Sequence, residues 1–367
     1  MNFFFNTIYS VGMLFGIVTF TACGGSSDTH VQVSVEVNIT MEPYGYQQWY
    51  IYKDEAFYAE NGIDDDAHIH AQNILNKYSG KGVTIAIIDN GLDLSHEDLA
   101  VNGMRTFDTL TKTSDVSYDN TPEAYHGTAV TGIIAGQVNA KGIYGIANKA
   151  NIVFLKNKDY MSDSEMIELF EKANELGADI ISCSWGTYNV SDALRAEIVK
   201  LATKGRDGKG TIIVFANGND NKDMGNDESN IPEVISVGAS DSNNERAYYS
   251  NYGENLDILA PGGVYFGITT LDIMGELGHG EISPNYLLYN DSNAFRGTSA
   301  SAPIVSAVLA LLLEKEPHIT RKEVERRLKE SSDKLGSFPY IDGRNDYYGY
   351  GKLNVERLFM QTTTSIH

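Results

Sequence analysis

Ser299 has the surroundings in this sequence that point most directly to chemistry. It lies in the small-residue segment Gly297–Pro303, and an apolar run from residue 304 to 313 follows at once. Such a run predicts a central, buried helix. The N-terminus of that helix would offer Ser299 unpaired backbone N–H groups and the positive end of the helix dipole, which favour a developing anion. Taken alone, the segment is also explained by close packing of small residues.

An aspartate and a histidine occupy comparable places elsewhere in the chain. Asp89 ends a buried-strand pattern within Lys81–Gly91, and His126 opens a helix of small and apolar residues within Tyr125–Gly136. Strand ends and helix starts are where α/β sheets place their functional groups. A serine hydroxyl is a weak nucleophile until a histidine takes its proton, and the histidine needs a carboxylate to fix its tautomer. The three residues together predict nucleophilic catalysis by the serine.

In the order Asp89, His126, Ser299, the chain resembles the subtilisin-type serine endopeptidases (subtilases, peptidase family S8), which carry their triad in this order. The similarity extends from about residue 42 to about residue 358. The resemblance implies that His126 acts as base and then as acid, that Asp89 orients it, and that Ser299 forms an acyl-enzyme. Several segments resemble the kexin-like branch of the family in particular. They are Pro43 with Gln48 and Trp49, Ile181–Gly186, Gly297–Pro303 and Gly349–Asn354.

Two asparagines follow another buried-strand pattern, Thr211–Phe215, and one of them completes the resemblance. The family pattern Ala-x-Gly-Asn falls on Ala216–Asn219. It implies that the side-chain amide of Asn219, rather than that of Asn217, donates to the oxyanion, with the backbone N–H of Ser299 as second donor. The alternative is that both asparagines only form a turn.

The substrate is expected to lie as an extended strand along Ser184, Trp185 and Gly186, which resemble the family segment that pairs with it and forms one wall of the P1 pocket. The same residues also end a core strand. An acid-rich loop, 220–228, follows Asn219. Its acids could receive a lysine or arginine side chain, bind calcium, or simply be solvated. The proline and acidic pair that kexin-like enzymes carry after Trp-Gly are replaced here by Thr187–Val190.

One segment pair predicts a structural calcium ion. Asp98 falls where the family places a calcium carboxylate, and residues 137–143 have the length of the family's calcium loop. Asn139 and backbone carbonyls of that loop would complete an oxygen shell, as Ca²⁺ requires. A plain surface turn is the alternative. The chain has 2 cysteines, far apart, and no zinc-ligand spacing.

The secondary-structure pattern predicts an α/β fold: a subtilisin-like, doubly wound, mostly parallel sheet with helices on both faces. The glycine-rich segment between Pro261 and Phe295 predicts a mobile loop. The predicted strands are Thr84–Ile88, Ile152–Leu155, Asp179–Cys183, Thr211–Phe215 and Val234–Val237, and the predicted helices include Ser164–Leu176, Asp192–Ala202, Ser301–Leu313 and Arg321–Glu330.

The N-terminal residues predict export. The run from Phe3 to Ala22 is apolar without Lys or Arg, and it precedes Cys23 and a Gly/Ser-rich stretch. It resembles a bacterial lipoprotein signal, which implies a signal peptide at 1–22, a tether at 23–41 with its lipid on Cys23, and a peptidase domain at 42–367. The expected location is the bacterial cell envelope, facing the periplasm or the outside. An uncleaved membrane anchor and an ordinary secretory signal are the alternatives. Cys183, within a predicted buried strand, is expected to be a core residue.

The net charge of the chain and the length of its N-terminal stretch limit the classes of partner that we expect. The formal net charge of −21 argues against nucleic acid, which requires a basic surface. The stretch 24–41 is shorter than the folded propeptide of most extracellular subtilases. Folding is therefore expected to depend on calcium or on a separate propeptide-like inhibitor or chaperone. A catalytically silent peptide-binding protein and an esterase are the rival functions, and the serine lacks the G-x-S-x-G elbow that an esterase would carry.

Overall fold

A seven-stranded, entirely parallel sheet organises the part of the chain that the computed structural model describes, residues 42–361 without 101–102, 120, 122 and 159. The predicted signal peptide and tether lie outside these residues. The strand order is β2-β3-β1-β4-β5-β6-β7. The strands are β1 Thr84–Asp89, β2 Arg105–Asp108, β3 Asn151–Lys156, β4 Ile180–Cys183, β5 Ile212–Ala216, β6 Ile235–Ser240 and β7 Ile258–Pro261.

Helices cover both faces of this sheet, so the predicted α/β fold is confirmed. They are α1 Glu55–Asn61, α2 Gln72–Leu75, α3 His126–Ala135, α4 Asp163–Glu175, α5 Asp192–Lys204, α6 Thr298–Lys315, α7 Arg321–Ser331 and α8 Val355–Met360. Short 3₁₀ helices occupy Gly45–Gln47, Glu228–Asn230 and Gly275–Leu277.

Alternate residues of β1 enter two different cores, as a strand buried on both faces requires. Ile85 and Ile87 belong to the core that contains α3 and α6. Ala86 and Ile88 belong to the core on the other face, with α4 and α5. This double burial explains why the strand sequence is continuously apolar rather than alternating, and why it ends where the first charged residue, Asp89, appears.

Strand β1 marks the switch point of the sheet. It lies between β3 and β4, and the chain runs to one side of β1 through β2 and β3 before it crosses to the other side at β4. Loops diverge at such a point and leave a crevice at the carboxyl ends of the strands. Asp89 is the last residue of β1 and therefore lies in that crevice.

Helix α6 is the buried central helix that the sequence predicts. Its residues from Ala300 to Leu312 are all buried. Within the described residues it is the one helix that is long and apolar enough to cross a membrane, and 89% of its apolar window is covered by the rest of the fold. Its apolar character is accounted for by packing against α3 and the sheet.

The segment between Pro261 and Phe295 is more structured than the predicted loop. It contains a two-stranded antiparallel sheet of β8 (Thr270–Leu271) and β9 (Tyr286–Leu287). Two buried carboxylates fix its turns: Asp272 accepts hydrogen bonds from Gly280 N and Ile273 N, and Asp291 accepts them from the residues around 281. Glycine content alone does not reveal these side-chain-to-backbone bonds.

Candidate active site

Asp89 and His126 form a direct hydrogen bond at the switch point. The Nδ1 atom of His126 lies 2.8 Å from Asp89 Oδ1, and the Asp89 side chain is only 3% exposed. A proton on Nδ1 leaves Nε2 free to act as a base. Burial lowers the pKa of His126, but the negative charge and hydrogen bond of Asp89 outweigh this effect, and the pKa lies above its ordinary value.

Close contact between α3 and the loop after β1 holds the histidine in place. Gly127, the second residue of α3, lies so near this loop that a Cβ atom would be 2.1 Å from the carbonyl oxygen of Gly91. Gly127 N also donates to Asn90 Oδ1 at 3.2 Å. A glycine after the histidine is therefore required for His126 to reach Asp89.

Ser299 is the second residue of α6, as the sequence indicates, and lies beside the end of β4. Its Oγ donates to the carbonyl oxygen of Ser184 at 3.0 Å, and Ser184 Oγ donates back to the carbonyl oxygen of Ser299 at 3.0 Å. In this state the hydroxyl is held by Ser184 and not by His126. Catalytic hydrogen bonds are often long or unformed without substrate and tighten only when substrate is present.

The two asparagines of the turn after β5 have different surroundings. Asn217 is fully buried, and its amide bonds the carbonyl oxygen of Asn251 in the core. Asn219 is exposed, and its Oδ1 accepts hydrogen bonds from Thr298 N at 2.9 Å and Thr298 Oγ1 at 3.1 Å. These bonds fix the oxygen end of the amide, which leaves the NH₂ end of Asn219 as the donor.

A small cavity of about 80 Å³ joins Ser299 and Asn219 to the expected substrate segment. Ser299 and Asn219 line it together with Ser184, Trp185 and Gly186. Trp185 is anchored by its indole N–H, which donates to the carbonyl oxygen of Ile88 in β1 at 2.9 Å. The structure thus brings the predicted substrate segment to the predicted nucleophile.

The acidic loop 220–228 divides into two parts. Asp220 is solvent-accessible and pairs with Lys222 at 3.1 Å. Asp227 and Glu228 are buried, and Asp227 lines the cavity. Glu228 accepts hydrogen bonds from Thr187 N and Oγ1 at 2.9 and 2.7 Å. The loop is therefore partly solvated and partly a support for the wall after Gly186.

Aromatic residues next to His126 were not predicted from the sequence. Phe295 packs edge-on against the His126 ring, with centroids 5.4 Å apart. His279 stacks on Tyr125, the residue before His126, at 4.0 Å with an interplanar angle of 9°. Both Phe295 and His279 come from the segment after Pro261, so this segment covers one side of the histidine. Nothing in its local pattern signals that contact, because it depends on how α3 and α6 pack.

Asp98 and Asn139 lie near each other, in a site that could take a hard cation. Asp98 is fully buried, its Oδ2 accepts from Ile143 N at 3.0 Å, and its Oδ1 has no hydrogen-bond partner in the described structure. Burial raises the pKa of Asp98 to about 7, and the carboxylate of Glu42 adds to this increase. An unpartnered buried carboxylate oxygen beside a second carboxylate is a site that a cation would stabilise.

Two neighbouring side chains at this site accept backbone N–H groups. The oxygen of Asn139 accepts from Lys141 N at 3.0 Å, and the Glu42 carboxylate accepts the N–H groups of Ala140 and Lys141. Across the described ranges, no group of three or more His, Cys, Asp or Glu side chains is arranged to hold a metal. A cation here would depend on one carboxylate together with amide and carbonyl oxygens.

An Asp–His pair and a serine at the switch point of a parallel sheet place the protein in the class of α/β serine hydrolases. A sequence model described as the subtilase family matches residues 80–351. The chain therefore belongs to the subtilase family.

Relatives support this membership along most of the chain. The calcium-dependent protease of Nostoc sp. (strain PCC 7120 / SAG 25.82 / UTEX 2576) is 31% identical over 338 residues, which cover 84% of this chain and 50% of the relative. Subtilisin E of Bacillus subtilis (strain 168) is 30% identical over 295 residues, covering 78% and 67%. The chain thus spans about half the length of the calcium-dependent protease that it matches.

Solved structures give the same fold. A serine protease of Aeromonas sobria, crystallised in complex with the chaperone ORF2, superimposes with a TM-score of 0.75 at 20% identity, covering 87% of this chain and 66% of that one. A protease from Pseudoalteromonas arctica superimposes with a TM-score of 0.69 at 25% identity, covering 87% and 98%. At 20% identity, the similarity to the Aeromonas sobria protease shows the fold alone.

The predicted similarity to the kexin-like branch of the family is not supported. The relatives described above are a bacterial subtilisin and a calcium-dependent protease. The structure also explains the departure after Gly186, where the kexin-like proline and acidic pair are missing. The backbone N–H groups of Thr187 and Tyr188 are held there by Glu228 and Asp227 of another loop. The acids near this wall therefore come from a different segment than the kexin-like pattern expects.

Proposed function

We propose that this protein is a serine endopeptidase that cleaves polypeptides through an acyl-enzyme. One observation carries the proposal: Asp89 and His126 form a direct hydrogen bond at the switch point of the sheet, and Ser299 and Asn219 line one cavity with the expected substrate segment. The family membership and the curated proteases among its relatives support it.

The chemical step begins at Ser299. His126 Nε2 takes the proton of the serine hydroxyl while Oγ attacks the carbonyl carbon of the substrate, and the carbonyl π electrons move to its oxygen. The carboxylate of Asp89 keeps the proton on Nδ1 and stabilises the imidazolium that forms. Its burial, with only 3% of the side chain exposed, strengthens this interaction because little water screens it.

Collapse of the tetrahedral intermediate releases the amine. The oxyanion is stabilised by the NH₂ group of Asn219 and the backbone N–H of Ser299, groups already fixed before the reaction. The carbonyl re-forms, the C–N bond breaks, and His126 gives its proton to the leaving nitrogen. Water then attacks the acyl-enzyme by the same route, with His126 again as base.

The test is covalent labelling of the serine. A fluorophosphonate probe should label the folded protein, and casein should be hydrolysed by the same preparation. Folded wild-type protein that takes no label and leaves casein intact would exclude the endopeptidase function. It would favour the rival of a peptide-binding protein that does not react.

Asn219→Ala is expected to lower kcat by about 10²–10³ with little change in KM, which is the loss found for the corresponding asparagine of subtilisin. The reason is that the amide acts on charge that appears only in the transition state. Steady-state kinetics on one peptide substrate measure this. Asn221→Ala, in the same loop, is the matched control and should keep the wild-type kcat. A change in KM alone would contradict the oxyanion role of Asn219.

We further propose that the site at Asp98 binds a structural Ca²⁺, with the Asp98 carboxylate, Asn139 and loop carbonyls as ligands. The ion would neutralise the buried carboxylate and cross-link the loop to the core. The unpartnered Asp98 Oδ1 supports this, as do the relatives named calcium-dependent protease.

Calcium at one hundred times its Kd is expected to stabilise the wild type by about 2.7 kcal/mol. For a chain of this size we expect a Tm increase of about 3–4 °C, because the entropy of unfolding grows with chain length. Asp98→Asn should lose this increase. In EDTA the raised pKa of Asp98 predicts that wild-type stability falls, relative to Asp98→Asn, as the pH rises from the ordinary carboxyl pKa towards 7, because the folded state then holds an unpaired charge. Calorimetry with and without Ca²⁺ measures both effects, and an equal increase in Tm for both proteins would refute this ligand.

The N-terminal residues support a proposal about location. We propose that the protein is exported and tethered to the cell envelope through a lipid on Cys23, because an apolar stretch and small residues precede this cysteine. Labelling of cells with a fatty-acid analogue should mark the wild type and not Cys23→Ser. Unmodified protein retained in the cytoplasm would exclude the tether. Cys183, the other cysteine, is buried and free, as expected for a core residue.

A separate folding factor is the last part of the proposal. One structural neighbour, the serine protease of Aeromonas sobria, was solved together with a chaperone, and this supports that part of the proposal. Protein without its first 22 residues should refold to low activity alone and gain activity when coexpressed with the factor. Refolding alone to full activity would exclude this requirement.

A further inference from the structure

Two buried acids lie next to each other at the cavity beside Ser299: Asp227 lines it, and Glu228 is the following residue. Asp227 is 1% exposed and Glu228 is fully buried, whereas Asp220 of the same loop is about half exposed and paired with Lys222. Buried carboxylates are rare unless a cation or several donors compensate them. The hydrogen bonds that each acid already accepts therefore determine which substrate side chain this pocket can bind.

Asp227 has one acceptor position left open. Its Oδ1 accepts from Ser229 N at 2.9 Å and Ser229 Oγ at 2.6 Å, while its Oδ2 accepts only from Tyr188 N at 2.9 Å. A carboxylate offers about four acceptor positions in all. The remaining position is on Oδ2, and this atom lies against Gly186, where a Cβ would approach it to 2.5 Å. The lack of a side chain at Gly186 brings the cavity wall directly to the charged oxygen.

Neither acid has a cationic partner. Glu228 uses both oxygens for the backbone and hydroxyl of Thr187. Within the part of the chain that the structure describes, no ion pair joins Asp227 or Glu228 to a lysine, arginine or histidine. Burial raises the pKa of Glu228, as an uncompensated charge requires. Two acids in a site of low dielectric constant therefore give this pocket a negative potential that a cation would relieve.

The groups around the pocket do not neutralise its negative potential. Lys222 Nζ lies 3.9 Å from the centre of the Tyr188 ring, but its charge is already paired with Asp220. Calcium fits poorly in this pocket, because it takes six to eight oxygen ligands and the acids here are largely occupied by N–H and O–H donors. A single lysine ammonium or arginine guanidinium needs only the open position on Oδ2 of Asp227.

We propose that this pocket selects lysine or arginine at P1, the residue whose carbonyl is attacked, with Asp227 as the specificity-determining residue. The aliphatic part of such a side chain would pass Gly186 and its charged end would reach Oδ2. A leucine or phenylalanine side chain would leave the two acids without a counter-charge. This inference rests on the proposed endopeptidase function and assigns its substrate class.

Peptide substrates that differ only at P1 test the proposal. With Lys, Arg, Phe, Leu and Glu at this position, kcat/KM should be about 10- to 100-fold higher for Lys and Arg than for Phe and Leu, as expected for one charge-assisted hydrogen bond. Asp227→Asn should remove most of this preference, and fluorophosphonate labelling of the variant should show that it is folded and has a reactive serine. Asp220→Asn removes the same charge from the exposed part of the loop and should keep the preference.

A second measurement needs no variant, since Asp227→Asn places an amide donor opposite Tyr188 N or Ser229 N and is at risk of misfolding. Benzamidine should inhibit wild-type hydrolysis competitively, and neutral benzamide should be at least about 10-fold weaker. A preference for Phe or Leu, or equal inhibition by the two compounds, would overturn the proposal. Absence of labelling and of casein turnover would instead show that the endopeptidase function itself is wrong.

Discussion

Ser299→Ala is expected to lower kcat for peptide hydrolysis by about 10⁶, the size of loss found when the catalytic serine of subtilisin is removed. Without the hydroxyl no acyl-enzyme forms, and His126 has no proton to take. Binding should persist, because the cavity walls at Ser184–Gly186 do not depend on this hydroxyl beyond one bond to the carbonyl of Ser184. KM should therefore change much less than kcat.

The same reasoning predicts that the triad fails as a unit. His126→Ala should cost about as much as Ser299→Ala, and the double variant should cost little more than either, because each single change already removes the nucleophilic route. Discontinuous peptide-hydrolysis assays at high enzyme concentration measure the residual rates of the variants. Fluorophosphonate labelling measures the remaining reactivity of Ser299 in His126→Ala. Additive losses would indicate that the two residues act separately.

Ser301→Ala is the matched control for this prediction. Ser301 lies in the same helical turn as Ser299, but its Oγ is buried and donates to the carbonyl oxygen of Ala260 at 2.9 Å. Loss of this bond should reduce the stability by about 1 kcal/mol and leave kcat near wild type. A comparable loss of kcat in both variants would mean that the helix start, and not the hydroxyl of Ser299, carries the effect.

The parts of the fold that the sequence predicts are those with local causes. Strand β1 is apolar on both faces and ends at its first acid, so its end at Asp89 can be predicted from six residues. Helix α6 is apolar all round, which predicts its central position. The short strands β2 and β7 were not predicted. Strand β2 has the sequence Arg-Thr-Phe-Asp, which is neither an apolar run nor mostly buried, and the apolar run of β7 is only four residues long and ends in a proline.

The candidate active site also contains residues that the local sequence predicts and residues whose positions depend on the tertiary fold. Asp89, His126 and Ser299 can be found because each stands at the boundary of a strand or a helix. The role of Asp227 cannot be separated from that of Asp220 by sequence, since both belong to one acid-rich loop. Only the fold places Asp227 beneath Gly186 and leaves Asp220 in solvent. The contact of Phe295 with His126 is equally tertiary in origin.

Asp89→Asn should lower kcat by about 10⁴ and also move the pH dependence of the remaining activity. The loss arises because an amide cannot hold the His126 proton on Nδ1 as a carboxylate does. In the wild type, kcat/KM should rise with pH through the raised pKa of His126, since only the neutral imidazole acts as a base. Without the charge of Asp89, burial is the larger remaining effect, and it disfavours the imidazolium. The rise in activity should then occur at lower pH.

Glu123→Gln separates charge from orientation in this experiment. Glu123 also raises the pKa of His126 through its charge, but its carboxylate forms no hydrogen bond with the imidazole in the described structure. This variant should show a small shift of the kcat/KM profile to lower pH with kcat close to wild type. Asp89→Asn should show the shift together with the large loss, because it removes both the charge and the bond that fixes the ring. If Asp89→Asn kept the wild-type pH profile, Asp89 would not be the group that sets the protonation of His126.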